Sequence, residues 1–277
     1  MMTMNAHDLT EQSPLTSIII ITRNGLSFTK ECITSIFQHT KENFELVLID
    51  NGSTDGTLEF LQTVPRARII SNKENKGFPG GCNQGLRIAR GENIVLLNND
   101  TVVTKDWLKR LIWSLNNHYS CGIIGPRSNF ILPHQSIPQL SYKTMDQMHE
   151  FANEWSQKNE MKSYEVDNLS GVCMIFKRDL IDKIGGLDER FSPGYYEDTD
   201  FCIRALIYGT RLLVANDVFI HHYGSSSFKI DRIWQKKMIH QSEKKFFTKW
   251  SMTHLNEIRK VVARERPFSR ERHYVPF

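Results

Sequence analysis

Glu197, Asp198 and Asp200 place three carboxylates within four residues. They follow the turn Pro193-Gly194 and two tyrosines, Tyr195 and Tyr196, and a helix-like run, Phe201-Cys202-Ile203-Arg204, comes next. Two chemistries suit this pattern. Acids at a helix start are favoured by the helix dipole. A carboxylate fixed beside a pocket can instead take a proton from a substrate hydroxyl.

Other polar clusters carry similar pairs of readings. Asn98-Asn99-Asp100 directly follows an apolar run. An acid there can hold a divalent cation that bridges a diphosphate, or can cap the next turn. Asp50-Asn51-Gly52-Ser53-Thr54-Asp55-Gly56-Thr57 offers Asp50 to a base imide or a ribose hydroxyl, and Asp55 as a helix cap. Its glycines either let the backbone approach a ligand or serve only a turn. Asn75-Lys76-Gly77-Phe78-Pro79-Gly80-Gly81 is glycine-rich, but it lacks the GK[ST] of a Walker A loop. It does not follow the first strand, so it is no dinucleotide fingerprint, though a loop of this kind before a helix can face an anion. His221-His222, before Tyr223-Gly224-Ser225, is either structural or a source of metal ligands.

Regular elements must position these clusters. Residues 16–22 (TSIIIIT) read as a strand buried on both faces. Residues 27–40 place Phe28, Cys32, Ile33, Ile36 and Phe37 on one helical face, with Ser27 as cap. Further strands are expected at 44–49, 67–71 and 93–97, and helices at 55–62, 83–90 and 105–118. This alternation over roughly the first 125 residues implies a parallel, doubly wound α/β sheet. Ligands of such sheets bind beyond the carboxyl ends of the strands. Thr22-Arg23-Asn24, Asp50-Asn51-Gly52-Ser53 and Asn98-Asn99-Asp100 all fall at those ends. Residues 126–140 read as loop, 144–159 and 177–184 as helices and 172–176 as a strand. A helix over 199–208 and strands over 211–215 and 218–221 follow. Residues 229–277 are basic and aromatic, and read as helical to about residue 264.

Bulk properties exclude several classes. The chain has 277 residues, 40% hydrophobic and 24% charged, as expected of a globular protein with a sizeable core. A net charge of +4 gives no case for a nucleic-acid partner. Residues 1–14 lack the apolar core of a signal peptide, and the longest apolar runs, at 18–21 and 94–97, are too short to span a bilayer. The five cysteines, Cys32, Cys82, Cys121, Cys173 and Cys202, are scattered without a CxxC, which points to a reduced, cytoplasmic protein.

Taken in order, the clusters resemble the family 2 glycosyltransferases, inverting sugar-nucleotide transferases of the GT-A fold. The resemblance runs over about residues 16–228, from Thr22-Arg23-Asn24-Gly25 through the Asp50, Asn75, Asn83-Gln84-Gly85 and Asn98 clusters. It continues through Gly171-Val172-Cys173, Gly185-Gly186-Leu187-Asp188-Glu189 and Glu197-Asp198-Thr199-Asp200-Phe201 to His222-Tyr223-Gly224-Ser225. It implies a flexible start over 1–15, a GT-A domain over 16–228 and a helical extension over 229–277. Within the domain, 16–125 would hold the nucleotide and 126–228 the acceptor.

The resemblance also implies roles. Thr22, Arg23, Asn24, Asp50, Ser53, Gly77, Phe78, Asn83, Asn98, Asn99 and Asp100 would bind the nucleotide sugar, a UDP-, dTDP- or GDP-sugar. Asp100 would bind Mn2+ or Mg2+, with His222 as second ligand and His221 as alternate. Asn98 departs from the acid usual at its position. Asp198 would be the general base, with Glu197, Asp200 and Tyr196 in supporting or acceptor roles. Repulsion from Glu197 and Asp200 is expected to raise the Asp198 pKa. The acceptor would be a glycan, a lipid-linked glycan or a protein side chain, in surface-polysaccharide synthesis of a rhamnosyltransferase-like type. The extension is read three ways: on an anionic membrane face, in a homodimer, or packed on the domain. Two other readings are a sugar nucleotidyltransferase, which would place a basic glycine-rich signature after the first strand, and a non-catalytic binding protein.

Overall fold

The computed structural model describes residues 14–224 and 232–277. Expectations for residues 1–13, for Ser225 and for Lys229 lie outside the described residues. The chain begins with β1 (Thr16–Thr22), α1 (Leu26–His39), β2 (Phe44–Asp50), α2 (Thr57–Leu61), β3 (Ala67–Ser71), α3 (Gly77–Ile88) and β4 (Asn93–Asn98). It continues through β5 (Thr101–Val102), α4 (Trp107–Asn117), β6 (Cys121–Ser128), α5 (Met145–Lys158), β7 (Ser163–Val166) and β8 (Cys173–Lys177). Then come α6 (Arg178–Ile184), α7 (Glu197–Tyr208), β9 (Arg211–His222), α8 (Arg232–Trp250), α9 (Ile258–Glu265) and α10 (Arg270–His273).

The strands form one sheet in the order β3-β2-β1-β4-β8-β6-β9-β5, with β7 also paired to β9. β1, β2, β3, β4, β6 and β9 point one way, while β5, β7 and β8 run against them. Helices cover both faces. Ile18 and Ile20 of β1 pack with α1 and α4, and Ile19 packs with α3 on the other face. Four consecutive isoleucines suit a strand with no wet face. The result is the mixed, mostly parallel α/β sheet of a GT-A fold, with helices at the C-terminus.

Three local expectations need correction. First, α3 starts at Gly77, not at residue 83. The glycine-rich segment is thus mostly helix rather than loop. Glycine serves close packing: a Cβ on Gly85 would lie 2.4 Å from Ile19 Cγ2, so α3 sits tight on β1. Second, β9 is one strand of 12 residues. Its register against β6 slips between Pro126–Ala215 and Arg127–Phe219, which leaves 216–218 as a bulge. Third, β6 runs into the stretch expected to be loop, and β5 and β7 were not foreseen. Gly122, Gly125 and Pro126 break the apolar pattern of β6, and Pro126 sits where the ladder is irregular.

The extension packs on the domain. Phe246 and Trp250 of α8, and Ile258, Val261 and Val262 of α9, join the core formed with α3, α6 and α7. The aromatic residues offered to a membrane are therefore largely covered. Among the described residues no helix is long and apolar enough to cross a membrane. All five cysteines are free.

Candidate active site

β1 and β4 are parallel neighbours that end side by side, Ile21 opposite Asn98. A cleft of about 510 Å³ opens beyond those ends. Of the residues given site roles from the sequence, Thr22, Arg23, Phe78, Asn98, Asn99, Asp100, Tyr196, Glu197, Asp198 and His222 line it. Asn24, Asp50, Ser53, Gly77, Asn83 and Asp200 do not. Asp50 is nearly fully buried and accepts the backbone N–H groups of Gly52 and Ser53, at 3.2 and 3.1 Å. Ser53 Oγ accepts from the Asn24 N–H at 2.8 Å, which ties the loops after β1 and β2 together. Asn83 grips Leu187 through both its amide atoms and donates to Glu189. Gly77 has a left-handed backbone, and its N–H donates to Asn75. Asn51, Phe130, Ser170, Gly171, Trp234, Gln235 and Leu255 also line the cleft and had been given no site role.

The base candidate is held by backbone. Asp198 Oδ1 accepts the Thr199 N–H at 2.7 Å and its hydroxyl at 3.3 Å. Oδ2 accepts the Gly171 N–H at 2.9 Å. That leaves Oδ2 a lone pair for a further proton. Burial lifts the Asp198 pKa above the ordinary carboxylate value, against these N–H groups, which favour the charged form. Repulsion from Glu197 and Asp200, the expected cause, is not what raises it. That repulsion falls on Glu197 instead. Burial first, and then the charges of Asp198 and Asp200, push the Glu197 pKa far up, and its Oε2 has no hydrogen-bond partner. Burial and its charged neighbours thus favour the protonated form of Glu197. All three acids sit in the first turn of α7, so the helix-dipole reading holds as well.

A second acidic centre faces the same cleft. β5 pairs Thr101 with His222 of β9, which sets Asp100 beside that histidine. Asp100 Oδ1 lies 3.1 Å from His222 Nε2. His222 Nδ1 lies 2.6 Å from the carbonyl oxygen of Phe130. A carbonyl only accepts, so Nδ1 carries a proton and Nε2 is turned toward Asp100. This anchoring of the far ring nitrogen is the usual support of a metal-bound imidazole. A carboxylate oxygen and an imidazole nitrogen converging at one point fit a divalent cation. Among the described residues no group of three or more His, Cys, Asp or Glu side chains gathers. His221 points elsewhere: its Nδ1 meets Tyr142 Oη at 2.8 Å, and burial, then the His222 charge, push its pKa down to about 4.

α8 braces the segment that carries the base. Gln235 Nε2 donates to Tyr195 Oη at 2.8 Å, and Tyr196 Oη donates to Glu243 at 3.0 Å. Ser242 Oγ donates to the Gly194 carbonyl at 2.9 Å. Lys249 Nζ bridges Asp188 and Asp200, at 2.8 and 2.5 Å. Asp200 also pairs with Arg204 at 2.8 Å and accepts from Trp250 Nε1 at 3.0 Å. It is fully buried and faces this network, not an acceptor. Tyr196 packs on Phe246 at 5.0 Å between ring centres.

An open sheet with helices on both faces and a polar cleft at its strand ends is the arrangement of a doubly wound, ligand-binding α/β fold. Residues 17–185 match the family model described as Glycosyl transferase family 2, and the chain belongs to that family. An uncharacterized protein of Sinorhizobium fredii, y4gI, is 26% identical over 232 residues, which is 78% of this chain and 25% of that protein. An uncharacterized glycosyltransferase of Haemophilus influenzae is 34% identical over 134 residues, 42% of each chain. The chain thus spans less than half the length of these two relatives. Among solved structures, the mannosyltransferase PcManGT from Pyrobaculum calidifontis, in complex with GDP-Man and Mn2+, matches with a TM-score of 0.62 at 18% identity. That match covers 91% of this chain and 69% of the other. At this identity the likeness speaks for the fold.

Proposed function

We propose that this chain is an inverting glycosyltransferase that moves a sugar from a nucleoside-diphosphate donor to an acceptor hydroxyl, in the synthesis of a surface polysaccharide or related glycan. The observation that carries the reading is that Asp198 and the Asp100–His222 pair face one cleft at the strand ends. A base and a diphosphate-neutralising centre are the two devices this reaction needs. PcManGT, of the same fold, is known with GDP-Man and Mn2+, which supports a nucleotide-sugar donor and a divalent cation.

The residues divide the work. Thr22, Arg23, Asn98 and Asn99 line the cleft on the side of Asp100 and bind the donor. Asp100 and His222 would hold Mn2+ or Mg2+, which would supply charge neutralisation for a diphosphate leaving group. In the same cleft, Asp198 Oδ2 takes the proton of the acceptor hydroxyl as that oxygen attacks the anomeric carbon. Attack from the face opposite the leaving group inverts the configuration. The Gly171 and Thr199 N–H groups hold the carboxylate in place, and its lifted pKa makes it a stronger base.

Release of nucleoside diphosphate across a panel of UDP-, dTDP- and GDP-sugars, with Mn2+ or Mg2+, tests the reading. One donor class is expected to turn over, with NMR of the product showing inverted anomeric configuration. Absence of turnover with every donor and both cations, or retained configuration, would overturn it.

A further inference from the structure

The chemistry above leaves much of the Asp198 wall unused. Tyr195, Trp234 and Leu255 line the cleft, yet they stay 36%, 42% and 38% exposed. Large apolar groups left open on a cleft wall mark a surface that something covers. Tyr195 is also fixed: its hydroxyl accepts the Gln235 amide, and its backbone is left-handed, with φ 73°. Such strain persists where the surroundings impose it, and it clusters at functional sites.

The cleft does not stop at this wall. A second cavity, of about 440 Å³, shares Leu132, Asn168 and Leu255 with it. Both volumes suit small-molecule sites. The second cavity mixes polar groups, His134, Glu165, Asp167, Asn256 and Arg259, with apolar ones such as Pro133, Val166 and Ile258. Arg259 and Asp167 form an ion pair at 2.8 Å there, so donors and acceptors stand side by side. An alkyl chain threading this path would strand those groups without water. A sugar chain fits both parts. A pyranose ring offers a C–H face to an aromatic platform and hydroxyls to carboxylates, amides and guanidinium.

We propose that the two cavities form one acceptor groove for an oligosaccharide, running from Asp198 past Tyr195 and Trp234 and over Leu255 to Asn256 and the Asp167–Arg259 pair. The ring that gives its hydroxyl to Asp198 rests on the aromatic pair, and the following rings lie in the second cavity. The inference rests on the transferase reading and names its acceptor.

Two measurements on the whole chain separate the ideas. Calorimetric titration uses short and long members of glucan, mannan, rhamnan and N-acetylglucosamine oligomer series, with anionic phospholipid vesicles as the lipid probe. Donor hydrolysis without any acceptor is followed in parallel. At least one oligomer series is expected to bind, and longer members more tightly. Trp234→Ala should weaken short and long members alike, by about ten-fold, while Trp234→Phe keeps most of the affinity. Asn256→Ala should erase the advantage of length and spare the short members. Binding of vesicles alone, binding of no oligomer, or Trp234→Ala matching the parent protein would overturn the groove. Oligomer binding with no donor hydrolysed would sink the transferase reading and leave the groove standing. Donor hydrolysis with no oligomer bound would sink the groove alone.

Discussion

At the scale of single residues, the decisive contrast is between Asp198 and Glu197. They are neighbours in sequence, yet Asp198 has three hydrogen bonds that favour its charge and Glu197 has an unpartnered oxygen. Asp198→Asn is therefore expected to cut transfer by about 10²–10⁴-fold, the usual range for a general base, and to lower the thermal midpoint, because its amide NH2 cannot accept from one of the two N–H groups. The rate should rise with pH through a protonation lying above the ordinary Asp value of about 3.9, because burial raises Asp198. A rate that stays flat down to that value would rule Asp198 out as the base. Glu197 gives a stability signature instead. The folded chain holds the Glu197 proton more tightly than the unfolded chain does. Its stabilising contribution is complete below the unfolded value of about 4.3 and is lost as pH rises from there toward the folded value. Glu197→Gln should remove that slope, so the variant gains on the parent as pH rises. Urea midpoints across the range test this, and a gap constant with pH would count against it. That Asp198, Asp100 and His222 share a cleft was foreshadowed in the sequence because carboxylates and imidazoles stand out as letters at the ends of apolar runs. The Gly171 N–H and the Phe130 carbonyl were not, because a backbone group has no letter of its own.

At the scale of elements, legibility followed burial. β1, β2 and β4 announce themselves because both faces are covered and every side chain must be apolar. The start of α3 was hidden because glycine reads as loop, whereas here it permits contact with β1. Gly85→Ala should cost about 1–3 kcal/mol by overpacking against Ile19, read as a drop in the urea midpoint. The role of α8 was hidden for a different reason. Its lysines look like a solvated or membrane-facing set in sequence, and only the fold shows Lys249 lying between Asp188 and Asp200. Replacing it takes one cation from each of two buried carboxylates, of which Asp200 keeps Arg204 and Asp188 keeps Arg190. Lys249→Met is expected to cost about 1–3 kcal/mol, while Lys249→Arg keeps the charge and most of the stability. Equal stability of the Met variant and the parent would show that Arg204 alone suffices for Asp200.

At the scale of the whole molecule, the proposed cation site joins segments far apart in sequence. Asp100 follows β4, and His222 ends β9; they meet only because β5 pairs with the last residues of β9. Neither residue is a sufficient ligand set, and among the described residues no third acid, thiol or imidazole joins them. A cation and a nucleoside diphosphate should therefore complete one another's sites and bind cooperatively. UDP or GDP with Mn2+ should raise the thermal midpoint by more than the sum of the two separate effects. A ligand at about 100 times its dissociation constant stabilises the fold by about 2.7 kcal/mol. The excess should vanish with EDTA and in Asp100→Asn, and shrink in His222→Ala. Nucleotide binding that is identical with Mn2+ and with EDTA would show that the Asp100–His222 pair serves the fold and not the donor.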